Sequence, residues 1–567
     1  MKSATKISLC LLLLAAPLRA QTPTDFAGWT ARATELLNSP GEGENEIRRK
    51  WDQGTKATEA GKALMEAAKL APDEATKFKT LDDAGAAFAK GNASRKEAAE
   101  AYGLARDVAS IDPKERGRVG LEAATISGEV ADYEKVVAIE GATNEQKAKA
   151  HAEIAVRDSI AKDNAGAADH YEIASRLDPT QANVWLGMAS VNAQKITPAT
   201  DAETMLDRVY KTWISWMEST KKTDDEIAGS RPYYLQNWAR DLQAIGVSGR
   251  AITLWQEVGD NPKFSQPLRY DSLKNAATEA QKIKDYDKAL LLWQKAGQIN
   301  PTEYLRAQEV ALGRSNAQLS KGDFAKSRDE LSVLLTHPKV GNRDKEAILL
   351  AQSSLYFDEA DALEKKNTPV AQVATSETAG IKVLNDVWAM PTSSEGALLQ
   401  VVLAKVQRDL KKNKLTEAHE EVKTAISTFT ARKFDVQWLQ QLHILNGDVY
   451  RAEKQYENAM ISYSTGIVQG DWNGTALVPN QAIYSAAISM LIEATDAKKF
   501  DEAHKVVDWL DKWRVPLDPT VLYKIELEVK AGNKEVARAL ITKNKPLIFQ
   551  DDSKKKLAEL ETLANAN

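Results

Sequence analysis

A phrase of small and aromatic residues recurs along this chain, and residues 441–467 carry it most clearly. There Gly447, Tyr450, Tyr456, Ala459, Tyr463 and Gly466 follow at intervals of 3, 6, 3, 4 and 3. Two antiparallel helices explain the spacing. Small residues let such helices approach closely, and aromatics fill the wedge to the next pair. A chain built this way folds as a stack of helix pairs, each leaning on its neighbours.

Other copies follow the same grammar. Tyr286, Ala289, Trp293, Ala296 and Pro301 form one; Ala167, Tyr171, Ala174 and Pro179 form another, with Trp185 opening the next unit; Gly322, Phe324, Leu331 and Pro338 form a third. Weaker copies centre on Ala57-Ala60-Leu64-Ala67, Ala98-Ala101-Ala105, Ser248-Ala251-Trp255-Val258, Leu415-Ala418-Val422-Ala425 and Phe500-Ala503-Val507-Leu510. Ala289 and Ala296 lie 7 apart, two turns on one face, with the large apolar Trp293 between them. Asn300-Pro301, Asp178-Pro179 and Asp112-Pro113 read as helix ends followed by turns, because proline cannot continue a helix.

The phrase resembles the tetratricopeptide repeat, a helix-turn-helix unit of about 34 residues. The resemblance covers most of residues 55–540. It implies an all-α fold, a right-handed α-solenoid of stacked antiparallel helix pairs, with roughly 10 to 13 pairs over this length. The spacing divides the chain into a first segment (21–54), an N-terminal array (55–220), a central array (221–360), a loop insertion (361–380), and a C-terminal array with a polar closing helix (381–567). Within this scheme the Thr/Ala/Val-rich stretch Asn367 to Gly380 reads as loop. Lys221 to Ser230 reads as a polar break before Pro232, and Pro40 to Gly43 as a turn.

The first 20 residues read as an address. Lys2 and Lys6 precede an apolar run from Ile7 to Leu14, and Leu18-Arg19-Ala20 forms a cleavage site, the pattern of a bacterial signal peptide. Export to the periplasm or cell exterior is the expectation. Cleavage removes Lys2, Lys6 and Arg19 and takes the net charge from −5 to −8. It also removes Cys10, the only cysteine, and with it any disulfide, thiolate metal site or cysteine nucleophile. With 75 basic against 80 acidic residues and no basic block, the chain lacks the stripe of a nucleic-acid binder. No later run is apolar and long enough to span a membrane. The sequons Asn92-Ala93-Ser94 and Asn473-Gly474-Thr475 carry little weight in an exported bacterial protein.

Enzymatic signatures are missing: no phosphate-binding Gly-rich loop, no Gly-x-Ser-x-Gly, no His-Glu-x-x-His. None of the six histidines (His151, His170, His337, His419, His443, His504) lies 3 or 4 residues from another, so no metal pair forms on one helix face. Asp471-Trp472-Asn473-Gly474 lacks the later carboxylates of a calcium loop and reads as a turn. Some exported helical superhelices cleave peptidoglycan, using a motif that begins Glu-Ser. Here Glu218-Ser219 runs into Thr220-Lys221-Lys222-Thr223, and Glu218 reads as a solvated helix residue. Trp255 and Trp293 occupy core positions, and Trp213 and Trp216 read as packing, with a sugar-stacking surface as the alternative. No catalytic residue, metal ligand or cofactor is expected.

In the resembled family the first helices line the concave face and hold peptides. Counting back from Ser248, Tyr286 and Phe324 places Asn237, Arg240, Lys274, Asn275 and Asn316 at inward positions on successive first helices. Amide and cationic groups suit the carbonyls and carboxylates of an extended peptide. The expected function is a non-catalytic scaffold of the cell envelope with a protein or peptide partner. The alternative is a binding module for polysaccharide or peptidoglycan.

Overall fold

The computed structural model describes residues 22–566, except 92–94, 222, 300–301, 470–480, 513–516 and 549. The segment read as a signal, with Cys10, both sequons, and the stretches Asn300-Pro301 and Asp471–Gly474, read as a helix end and a turn, lie outside the described residues. The described residues form 27 α-helices and one short 3-10 turn, with no strand among them. They fall into two compact units, Met1–Ile299 and Asn300–Asn567. Within each unit consecutive helices pack as antiparallel pairs, and each pair packs on the next. Each is thus an all-α solenoid.

One backbone turn makes the repeat. Between the first and second helix of a pair, one residue takes the left-handed conformation: Lys162, Lys284, Gly246 and, in the second unit, Gly322, Asn413, Lys454, Lys498 and Gly532. The next amide then bonds the carbonyl five residues back, as in Asp163 to Asp158 (2.8 Å), Asp285 to Ala280 (2.9 Å) and Gln455 to Tyr450 (2.8 Å). This closes the first helix and reverses the chain in two residues. In three copies the following aspartate caps the second helix. Asp163, Asp285 and Asp323 accept from the amides of Gly166 (2.9 Å), Lys288 (3.2 Å) and Lys326 (3.1 Å). Glycine takes the left-handed position at no cost, and lysine there costs on the order of 1 kcal/mol.

The small residues of the phrase sit where helices meet. Ala167, Ala174, Ala289 and Ala296 are wholly buried, and Trp255, Trp293 and Tyr463 fill the wedges between them. Gly447 shows why the position must be small. A Cβ there would lie 2.4 Å from Tyr463 Cε1, and the Tyr463 hydroxyl donates to Asp448 Oδ1 at 2.7 Å, which pins the ring in place. Gly447→Leu is therefore expected to lower stability by about 1–3 kcal/mol through overpacking. A shift of the urea midpoint without a change of slope checks it. An unchanged midpoint would remove Gly447 from the helix contact.

Two segments depart from the sequence reading. Most of the expected loop at 361–380 is helical, belonging to Val370–Ala389. Its inward residues are Val373, Ser376, Gly380, Leu384 and Val387, so small and polar side chains occupy core positions and mute the apolar period. Gly380 is one of them because Phe357 lies across it, 2.8 Å from where a Cβ would stand. The polar break is likewise the start of the helix Asp224–Ala244, which contains Pro232. Thr223 and Glu226 form a capping box, and the acids of the first turn complement the helix dipole. The closing helix Asp551–Asn565 is amphipathic and seats Leu557, Leu560 and Ala564 on the last pair.

Candidate binding surfaces

The residues chosen from sequence fall on first helices as expected. Asn237 and Arg240 lie on Asp224–Ala244, Lys274 and Asn275 on Gln266–Lys282, and Asn316 on Tyr304–Ser320 in the second unit. The first two helices run parallel, stitched side by side. Gln236 Nε2 donates to Ser272 Oγ at 2.7 Å, and Gln243 donates to the buried Glu279. The structure therefore brings four of the five residues onto adjoining helices. Their chemistry is already partly spent: Arg240 donates to the Asn237 side chain of its own helix. Asn275 and Asn316 are exposed.

A cleft that the sequence reading missed lies in the second unit. Its walls are two successive first helices, Asn342–Lys365 and Glu395–Lys411, and Val370–Ala389 contributes to its floor. The two first helices are set by Glu346, whose carboxylate accepts from the Ser394 amide (3.0 Å) and hydroxyl (2.7 Å). The cleft encloses about 350 Å³. Phe357, Leu350, Leu384 and Ala404 give it an apolar surface, and Ser354, Gln400, Gln407 and Lys411 stand exposed among its lining residues. Ser353 Oγ holds the floor by donating to the Gly380 carbonyl at 3.0 Å.

Arg408 organises the charge of this cleft. Its side chain is only 8% exposed and its guanidinium lies 5.5 Å from the centre of the Phe357 ring. One terminal nitrogen bonds Asp361 and the other Glu377, while Lys411 also bonds Asp361. Lys412 reaches Glu364 (2.7 Å) and Glu377 (3.1 Å). Burial alone would raise the two central carboxyls. The bonds from Lys411 and Arg408 outweigh it at Asp361, those from Arg408 and Lys412 outweigh it at Glu377, and both are held below the usual range. Three cations face three carboxylates here, so the cleft offers an incoming group no surplus positive charge. Its surface suits apolar side chains and neutral amides better than a carboxylate. No signal for this site was available while 361–380 read as a loop.

The tryptophans and Glu218 also resolve. Trp213 is buried, stacks on Tyr210 and donates to Asn183 Oδ1 at 3.1 Å. Trp216 is half-buried and donates to the Pro179 carbonyl at 2.8 Å. Glu218 is paired with Arg231 at 2.8 Å rather than simply solvated.

Folding also unites two histidines distant in sequence. His151 and His170, on the helices Asn144–Ala161 and Asn164–Leu177, place their Nδ1 atoms 2.9 Å apart, one donating and one accepting. No cluster of three or more metal-binding side chains lies among the described residues. Burial, then the neighbouring His170 and Lys147, push the His151 pKa down to about 4. The folded state thus resists a proton that the unfolded chain accepts near pH 6.5. The stability tied to a neutral His151 is fully present above about pH 6.5 and is lost as pH falls toward about 4, on the order of 3 kcal/mol. His151→Gln should flatten the dependence of the melting temperature on pH across that window. A curve as steep as the wild type would refute the assignment.

The comparisons with known proteins add little. No family model and no curated protein matches the chain. The chain is similar to one in "Structure of Naa15/Naa10 bound to HypK-THB", at 12% identity over 94% of this chain and 78% of that one, with a TM-score of 0.31. A superposition that loose carries no argument about function. Among the described residues, no helix is long and apolar enough to cross a membrane.

Proposed function

We propose that the chain is an exported, non-catalytic scaffold of the bacterial cell envelope that holds a protein partner against the faces of its first helices. The observation that carries this reading is the cleft at Phe357 and Arg408. It is a preformed recess with an apolar floor, a rim of amides and hydroxyls, and charges that cancel within the wall. Such a recess takes up an apolar side chain and bonds the peptide groups beside it. Export rests on the N-terminal pattern of Lys2, Lys6 and the apolar run. The glycan alternative loses two of its aromatic platforms, since Trp213 is buried and Trp216 is tied to Pro179.

A photo-crosslinking residue placed at the exposed Gln407 tests the reading in intact cells. A discrete protein should be trapped, and Ala404→Arg, which fills the cleft, should abolish the product. Trapping of glycan, or a protein product indifferent to Ala404→Arg, would defeat it.

A further inference from the structure

The first-helix cleft is tied at both ends. Glu346 holds Ser394 where the helices Asn342–Lys365 and Glu395–Lys411 begin, and Arg408 and Lys412 hold Asp361 and Glu364 where they finish. The two helices thus run parallel, with a short trough between the ties. On one wall Gln400 and Gln407 stand 7 residues apart, with the small Ala404 between them, and Ser354 lines the other wall. All three polar side chains are exposed, and among the described residues none has a hydrogen-bond partner. Their capacity is unspent, unlike that of Arg240 and Asn237. The apolar surface beneath is Phe357, Leu350 and Leu384. Both cations lining the cleft, Arg408 and Lys411, are already paired with Asp361. Asp358 adds an acid at that end, its carboxyl raised by burial and then by the neighbouring Asp361.

We infer, resting on the function proposed above, that the cleft takes an internal, uncharged, extended segment of the partner. One large apolar side chain seats against Phe357, and Gln400 and Gln407 hold the peptide groups on either side of it. The spacing argues for an extended chain. Seven residues of helix rise about 10 Å, and three residues of extended chain span about the same. Each glutamine amide both donates and accepts, so it pairs with a whole peptide group, and the two groups lie three residues apart. A partner helix, about 10–12 Å across with its side chains, reaches the floor only by spreading walls that the two ties hold together. A C-terminal carboxylate finds no unpaired cation among the lining residues and meets Asp358 beside them.

The probe is a phage-displayed library of random dodecapeptides, selected on the full chain. Enriched sequences should share one large apolar residue flanked by uncharged ones, with acids depleted, and Ala404→Arg should abolish the enrichment. The leading sequence, synthesised with capped ends, is then titrated by fluorescence anisotropy. Gln400→Ala and Gln407→Ala should each weaken it about three- to tenfold while the melting temperature holds, because both side chains are exposed. N-methylation of its peptide nitrogens, one at a time, should find two sensitive positions three residues apart. Apolar residues recurring at helical spacings, enriched acids, sensitive positions seven residues apart, binding indifferent to both glutamine variants, or no enrichment that depends on Ala404 would each overturn the inference. The crosslinking at Gln407 reads only whether a protein occupies the cleft. Helix-patterned peptides that Ala404→Arg displaces would therefore sink the extended segment and leave the scaffold standing, whereas trapping of glycan would sink the scaffold itself.

Discussion

Arg408→Ala should be among the most damaging single substitutions in the second unit, costing roughly 3–5 kcal/mol at neutral pH. The guanidinium neutralises Asp361 and Glu377 at once, in a site where its own side chain is 8% exposed and theirs are 28% and 22% exposed. Removing it strands two half-buried carboxylates with only Lys411 and Lys412 for company. The pH dependence separates this cause from lost packing. Both carboxyls are held below their ordinary range, so their contribution is present above about pH 4 and is lost as pH falls through the folded values. In the variant they protonate more readily, and the deficit should shrink in acid. Urea unfolding at neutral pH and near pH 4 measures both arms. A deficit that stays constant with pH would mean that Arg408 acts by filling space.

Trp293→Ala should cost a similar amount, about 3–5 kcal/mol, by leaving a cavity the size of an indole. Trp293 is 5% exposed, lies between the wholly buried Ala289 and Ala296, and donates to Gln281 Oε1 at 3.4 Å. Alanines cannot move in to fill the space, because their helix is fixed by the capped turn at Lys284 and Asp285. Solenoid pairs couple mainly to their neighbours, so the loss should loosen Gln266–Lys282 and Tyr286–Gly297 before distant helices such as Glu46–Lys69. Hydrogen exchange resolves that gradient. Uniform loss of protection through the first unit would show a more cooperative array than nearest-neighbour coupling allows, and unchanged protection would take Trp293 out of the core.

Much of the architecture was legible because its determinants are local. The two-residue reversal at Lys284-Asp285 or Lys454-Gln455 needs only a tolerable left-handed residue and the next amide, and small residues at spacings of 3, 4 and 7 mark a helix contact wherever they occur. Legibility failed where a core face is written in small polar residues. Ser376 and Gly380 are inward positions only because Glu359 lies opposite the first, and Phe357 and Ser353 opposite the second. Nothing within residues 361–380 announces this. The inward residues read from register, Asn237, Arg240, Lys274 and Asn275, did land on adjoining first helices. Which of them keeps its hydrogen-bonding capacity was undecidable, because Arg240 turns back onto Asn237.

The chain's own pattern determined that it is helical, that its helices pair, and which small and aromatic residues pack between them, because periodicity and turn chemistry act over a few residues. Only the tertiary structure decided where charge is cancelled and where apolar surface is left over. Arg408 finds Asp361 47 residues away and Glu377 31 residues away, and His151 meets His170 19 residues on. Ile461 and Val468 look like ordinary core residues until the neighbouring second helix leaves them uncovered. Those properties depend on how one pair is set against the next. No signal local to a single repeat encodes that setting.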